Sequence, residues 1–175
     1  MGEHGRLCNP IRSEETMRRT LLAAALALLP ATVAAQDVKR GEYLARIMDC
    51  GGCHTPGALA GAPDLSRTLH GSTIGFEVPG VGIVFPPNLT PDVETGLGDW
   101  SNAEIVRAIK AGIRPDGREL APIMPWRAYA ALDDADAASL AAYLKSLPPA
   151  PRKVPDPIDA GDTGTAPYLA LVIPK

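Results

Sequence analysis

Large aromatic side chains are scarce in this sequence. Only 5% of its 175 residues are aromatic, with two Phe and two Trp, against 18 Pro and 17 Gly. Bulky aromatics dominate burial in ordinary cores, so a domain of this size needs some other apolar centre. Long apolar runs are missing as well. The longest uninterrupted one, residues 21–29, falls well short of the roughly 20 residues a membrane-crossing helix needs. No basic cluster is present and the formal charge is −3, which argues against nucleic acid as a partner. No substrate-binding or catalytic constellation is visible, and the length allows one small domain.

What the chain does have is Cys50-Gly51-Gly52-Cys53-His54. The pattern C-x-x-C-H reads as a c-type haem attachment site. Two thiols two residues apart at the end of a helix can bond to the two vinyl groups on one edge of a porphyrin, and the next residue then lies under the iron. Cys50 and Cys53 are the expected attachment points and His54 the proximal ligand. One covalent haem c would also supply the missing apolar centre. A thioredoxin-type dithiol would need a β-α-β context, whereas a helix precedes this pair and a Gly/Pro-rich loop follows it. Structural zinc usually takes four thiolate or imidazole ligands, and beyond the motif only Cys8, His4 and His70 remain.

The chain divides into an N-terminal extension (1–16), a secretion signal (17–35), a haem domain (36–147) and a Pro-rich tail (148–175). Met17 opens the signal cleanly, Arg18 and Arg19 form its charged region, and residues 21–29 its apolar region. Val33-Ala34-Ala35 offers small residues for a peptidase, so cleavage is expected after Ala35. Residues 1–16 read as the product of a misassigned start codon. A periplasmic location follows, with no transmembrane span in the mature chain and a monomer in solution.

The mature chain should begin with a helix over 37–49, capped by Asp37, with Val38, Leu44, Ile47 and Met48 on its inner face. Gly41 at mid-helix suggests close helix packing. Residues 55–100 form a Gly/Pro-rich loop whose length makes sense if it wraps a haem. A short hairpin is expected within it around Pro79-Gly80. Ser101 and Glu104 form a capping box for a helix with Ile105, Ala108 and Ile109 inward, stopped at Gly112. The turn Arg114-Pro115-Asp116-Gly117 reverses the chain. A last helix starts near Asp133 and ends at Pro148-Pro149.

Ala121-Pro122-Ile123-Met124-Pro125-Trp126 is the second stretch with chemistry in it. The flanking prolines predict an extended loop that aims Met124, and a thioether is a known axial ligand to haem iron. Met124 is the expected distal ligand, with His70 the alternative. Trp100, Arg114, Arg118 and Trp126 are candidates for hydrogen bonds to the haem propionates. The apolar end of the tail, from Tyr168 to Ile173, is expected to pack along the domain, with docking to a partner as the sharper alternative. Asn88 and Thr90 form an N-x-T sequon that reads as coincidence.

Together the motif, the helix order and the Pro-flanked methionine resemble a class I cytochrome c domain. The resemblance implies an all-α fold in which a glycine of the N-terminal helix crosses an aromatic of the C-terminal helix, here Gly41 and Tyr143. More specifically, Asn88-Leu89-Thr90-Pro91-Asp92, Thr95-Gly96-Leu97-Gly98-Asp99-Trp100 and the run from Gly112 to Arg118, followed by Met124-Pro125, are similar to one repeat of the cytochrome c subunits of bacterial alcohol and gluconate dehydrogenases. Those subunits carry three haem units and a membrane attachment, whereas this chain has one C-x-x-C-H. The resemblance therefore implies a non-enzymatic electron-transfer protein that exchanges single electrons with redox partners such as a dehydrogenase, an oxidase or another cytochrome. The alternatives are a haem subunit fixed in a dehydrogenase complex, and a haem enzyme or gas sensor with an exchangeable distal ligand.

Overall fold

The computed structural model describes residues 37–174. The extension and signal segments expected at 1–16 and 17–35 lie outside the described residues. Helix α1 (Val38–Ile47) starts where the Asp37 carboxylate accepts the backbone N–H groups of Lys39 and Arg40, at 2.9 and 3.1 Å. Its buried face is Gly41, Leu44 and Ala45, continued by half-buried Met48. Val38 and Ile47, expected inward, are 41% and 60% exposed.

The reason is the partner helix, α5 (Asp134–Ser146), capped by Asp133, whose carboxylate accepts the Asp136 N–H at 2.7 Å. A Cβ on Gly41 would run into the Ser139 carbonyl and come within 2.7 Å of the Tyr143 Cβ. The crossing point is thus Gly41, and the inward stripe is centred there rather than on the branched residues. Arg40 adds a two-pronged contact, Nε to Asp136 Oδ1 at 2.8 Å and Nη2 to Oδ2 at 2.7 Å.

Helix α3 (Asn102–Ala111) has the expected capping box at Ser101 and Glu104, with Ile105, Ala108 and Ile109 buried. It ends at Gly112, whose φ of 69° is the left-handed conformation that glycine adopts without penalty. The core joins Leu44 and Ala45 of α1, Ile105 and Ile109 of α3, and Leu140, Ala141 and Leu144 of α5 to Leu69 and Leu97 from the long loop.

That loop contains the expected hairpin, β1 (Gly75–Val78) antiparallel to β2 (Gly82–Val84), with Phe76 opposite Val84 and Val78 opposite Gly82. The tail then adds a strand at each edge. β3 (Ile158–Asp159) pairs antiparallel with β2, and β4 (Tyr168–Leu169) pairs parallel with β1. The result is a four-stranded sheet in the order β3-β2-β1-β4. An all-α description is therefore too narrow, because the chain after α5 returns to cover both edges of the hairpin. Beyond β4, Leu171, Val172 and Ile173 are about 80% exposed. No helix among the described residues is long and apolar enough to cross a membrane.

Candidate functional site

The C-x-x-C-H segment is a short helix of its own, α2 (Cys50–His54), set off from α1 by Asp49 in the left-handed region at φ 54°. Aspartate is among the few residues that tolerate this conformation. Its carboxylate folds over Gly52 so closely that a Cβ there would collide with it. Cys50 and Cys53 are unbridged and half-buried on this turn. Burial pushes the Cys50 thiol up to about 11, helped by the Asp49 and Cys53 charges and opposed by a backbone hydrogen bond. Cys53 is raised in the same way, by burial first and then by Asp49. A redox dithiol needs the opposite, a depressed pKa. Nor do the described residues contain a group of three His, Cys, Asp or Glu able to hold a metal ion.

His54 is only 8% exposed, and its Nδ1 lies 2.8 Å from the Pro87 carbonyl oxygen. A carbonyl can only accept, so Nδ1 carries the proton and Nε2 keeps its lone pair for a metal. Burial lowers the imidazole pKa, and the Pro87 contact opposes that in part. The His54 carbonyl in turn accepts the Gly71 N–H at 2.8 Å. Pro87 is held by its neighbours: Pro86 O accepts from Ser72 N at 2.9 Å, and Leu89 N donates to Leu69 O at 2.9 Å. Asn88, 1% exposed, accepts from Thr90 N at 2.9 Å and donates to Thr95 Oγ1 at 3.1 Å and Ala150 O at 2.8 Å. The side chain of that sequon is thus buried and fully engaged.

Met124 is half-buried, in a tight turn rather than an extended loop. Its N–H donates to Ala121 O at 3.0 Å, and its carbonyl accepts from Trp126 N at 2.8 Å. The turn leads directly into α4 (Trp126–Tyr129), a helix that the prolines gave no reason to expect. The Trp126 ring lies on Gly112, where a Cβ would come within 2.6 Å of it. Its Nε1 is buried without a hydrogen-bond partner, and Arg127 lies 4.3 Å over the ring. Trp100 and Arg114 meet, the guanidinium 5.2 Å over the indole. Arg114 N donates to Arg118 O at 3.0 Å, while the Arg118 side chain is exposed. His70 is half-buried, its pKa lowered by burial and then by Arg152 and Arg67, with Asp64 opposing.

Sequence reasoning missed four contributors. Pro87 supplies the carbonyl that orients His54, and Tyr129 donates from its hydroxyl to Met48 O at 2.9 Å, tying α4 to the end of α1. Lys145 donates to three carbonyls of the loop entering α3, Leu97 at 3.1 Å, Gly98 at 2.7 Å and Trp100 at 3.0 Å. Arg152 has a buried Nε without a partner. The Pro86-Pro87 pair was a visible signal of a rigid turn. Nothing local marks the other three.

These residues fit a covalent haem. Two unpaired protonated thiols, an imidazole with its outer nitrogen fixed and its inner one free, a thioether, and buried donors without a partner among the described residues are the set such a group would use. The family model for cytochrome c matches residues 38–148. The chain belongs to the cytochrome c family. Members of that family carry covalently bound haem c and transfer electrons.

This cytochrome is 37% identical over 132 residues to the cytochrome c subunit of the quinone alcohol dehydrogenase of Gluconobacter oxydans, covering 70% of this chain and 26% of that subunit. It is 35% identical over 134 residues to the gluconate 2-dehydrogenase cytochrome c subunit of Pantoea cypripedii, covering 73% and 28%. It is 35% identical over 119 residues to the fructose dehydrogenase cytochrome subunit of Gluconobacter japonicus, covering 66% and 22%. The match spans about a quarter of the length of these relatives. They are the cytochrome subunits of dehydrogenases, not the catalytic ones.

Proposed function

We propose that this cytochrome is a periplasmic carrier of single electrons with one haem c, bound through Cys50 and Cys53 and ligated by His54 and Met124. The observation that carries the reading is the 2.8 Å contact from His54 Nδ1 to the Pro87 carbonyl beside the two unbridged thiols. When bound, the haem supplies a one-electron couple. The chain's own part is to hold two ligands in place and keep other molecules off the iron. Pro87 fixes the His54 ring, and the Ala121–Met124 turn carries the thioether, whose ligation raises the reduction potential. Trp126, through its unpartnered Nε1, and the stacked pair Trp100 and Arg114 are the donors for the propionates, with Arg118 beside them on the same turn. Electrons would pass to a dehydrogenase, an oxidase or another cytochrome by brief docking over a small interface.

A second reading, a haem subunit fixed in a dehydrogenase complex, is favoured by the names of the relatives and by the exposed Leu171, Val172 and Ile173. It predicts co-purification with a catalytic chain. For the carrier, the test is exposure of the reduced protein to carbon monoxide at neutral pH. A His/Met-ligated iron resists it. Rapid binding would mean an open distal position, and the enzyme or gas-sensor reading would replace the carrier.

A further inference from the structure

Two buried side-chain donors among the described residues lack a hydrogen-bond partner: Trp126 Nε1 and Arg152 Nε. Trp126 adjoins the Met124 turn. Arg152 lies in the segment after α5, to which the cofactor site assigns nothing. We propose that the Arg152 guanidinium is a charge and hydrogen-bond partner of one haem propionate, so that the segment following α5 is part of the cofactor site. This rests on the haem reading above.

Position is the first argument. Arg152 N donates to Thr95 Oγ1 at 2.9 Å, the same hydroxyl that accepts from Asn88 Nδ2 at 3.1 Å. Two residues on, a Val154 methyl lies 2.5 Å from where a Gly71 Cβ would be, and Gly71 donates to the His54 carbonyl. The segment carrying Arg152 is therefore packed on the same two stretches of loop that orient His54. They are Gly71 on one side and Pro87-Asn88 on the other.

Charge is the second. Arg40, Arg46, Arg67, Lys110, Arg114, Arg127 and Lys153 each have a carboxylate within 4 Å. Arg152, half-buried, has none among the described residues. After burial, Arg152 and Arg67 both lower the pKa of His70, and the Asp64 carboxylate that opposes them there is already taken by Arg67 and Ser66. A desolvated guanidinium N–H with no acceptor is costly, and here the missing group is an anion. Haem brings two propionates, and the described residues hold two buried side-chain donors without a partner.

The test is the midpoint potential of the holo-protein measured against pH, for the parent and for Arg152→Gln. A neighbouring guanidinium favours the ionised propionate, so its loss should raise the propionate pKa and move the inflection of the potential–pH curve up by about 1–3 pH units. The midpoint should also fall, since removing a cation favours the ferric state. Arg152→Lys should restore much of the inflection. Arg67→Gln, which removes a cation already paired with Asp64, should leave it in place.

Coincident curves for parent and Arg152→Gln would overturn the proposal, as would an equal shift in Arg67→Gln. An inflection that depends on added inorganic phosphate would assign the site to a free anion and overturn it too. If Arg152→Gln does not retain haem, Arg152→Met keeps the packed stem and serves instead. Haem lost from both neutral variants but kept by Arg152→Lys supports a charge role, and loss from all three places the residue in packing and refutes it. A parent without covalent haem sinks the haem reading itself, a separate outcome.

Discussion

His54 and Pro87 are joined by a 2.8 Å hydrogen bond across 33 residues of sequence. One end is the last residue of the attachment helix and the other belongs to a proline-fixed turn in the loop. That bond leaves Nε2 as the nitrogen with a free lone pair, the one that would face the iron in the proposed reading. A proximal ligand whose outer N–H is held in this way is also more basic, and its ring cannot rotate.

The buried Asn88 side chain keeps Pro87 where it is. Asn88→Ala removes one acceptor and two donors, leaving Thr90 N without its partner and Ala150 O with only the longer contact from Thr90 Oγ1. The expected loss is about 2–4 kcal/mol of stability, read by denaturant unfolding of the haem-loaded protein. A cost below about 0.5 kcal/mol would show that backbone contacts alone hold the turn.

Lys145 clamps the loop that ends in Trp100 through three carbonyls. Lys145→Met should cost about 2 kcal/mol and speed amide hydrogen exchange locally, at residues 97–100, while α1 stays protected. Uniform loss of protection across the domain would contradict a local clamp.

Tyr129 is the group for a pH test. Burial is the main cause that raises its phenol to about 12, and the Asp49 charge adds to it; Cys50 and Cys53 contribute only as free thiolates, before haem attachment. The unfolded chain ionises near the ordinary value of 10.0. A raised folded pKa favours the protonated form, so its contribution is complete below pH 10 and falls away as pH rises toward about 12. Tyr129→Phe should cost about 1 kcal/mol at neutral pH, remove a late phenolate step from the ultraviolet titration, and flatten the alkaline decline in stability. Loss of an ordinary step near pH 10.0 instead of a late one would show that the phenol is not held by Met48.

What could be read from the sequence was whatever a few neighbouring residues encode. Asp37, Ser101 with Glu104, and Asp133 cap their helices as residue type predicts, Gly112 stops α3, and Pro79-Gly80 turns the hairpin. The C-x-x-C-H pentapeptide carries its chemistry within five positions. Illegible were the contacts made at a distance. The strands β3 and β4 pair with residues some 75 to 93 positions earlier and have only two residues each. The inward face of α1 follows the crossing at Gly41, not its most apolar residues. The Pro87 carbonyl, the Lys145 clamp and the unpaired Arg152 depend on where the backbone passes, which side-chain type does not reveal.

The central claim is that His54 and Met124 together close the haem iron. The most direct measurement is the optical spectrum of the ferric protein, purified after periplasmic expression, beside that of Met124→Ala. The account predicts the weak far-red band of a sulfur-to-iron bond in the parent and its loss in the variant. Absence of the band in the parent, or its survival in Met124→Ala, would contradict Met124 ligation and with it the carrier mechanism.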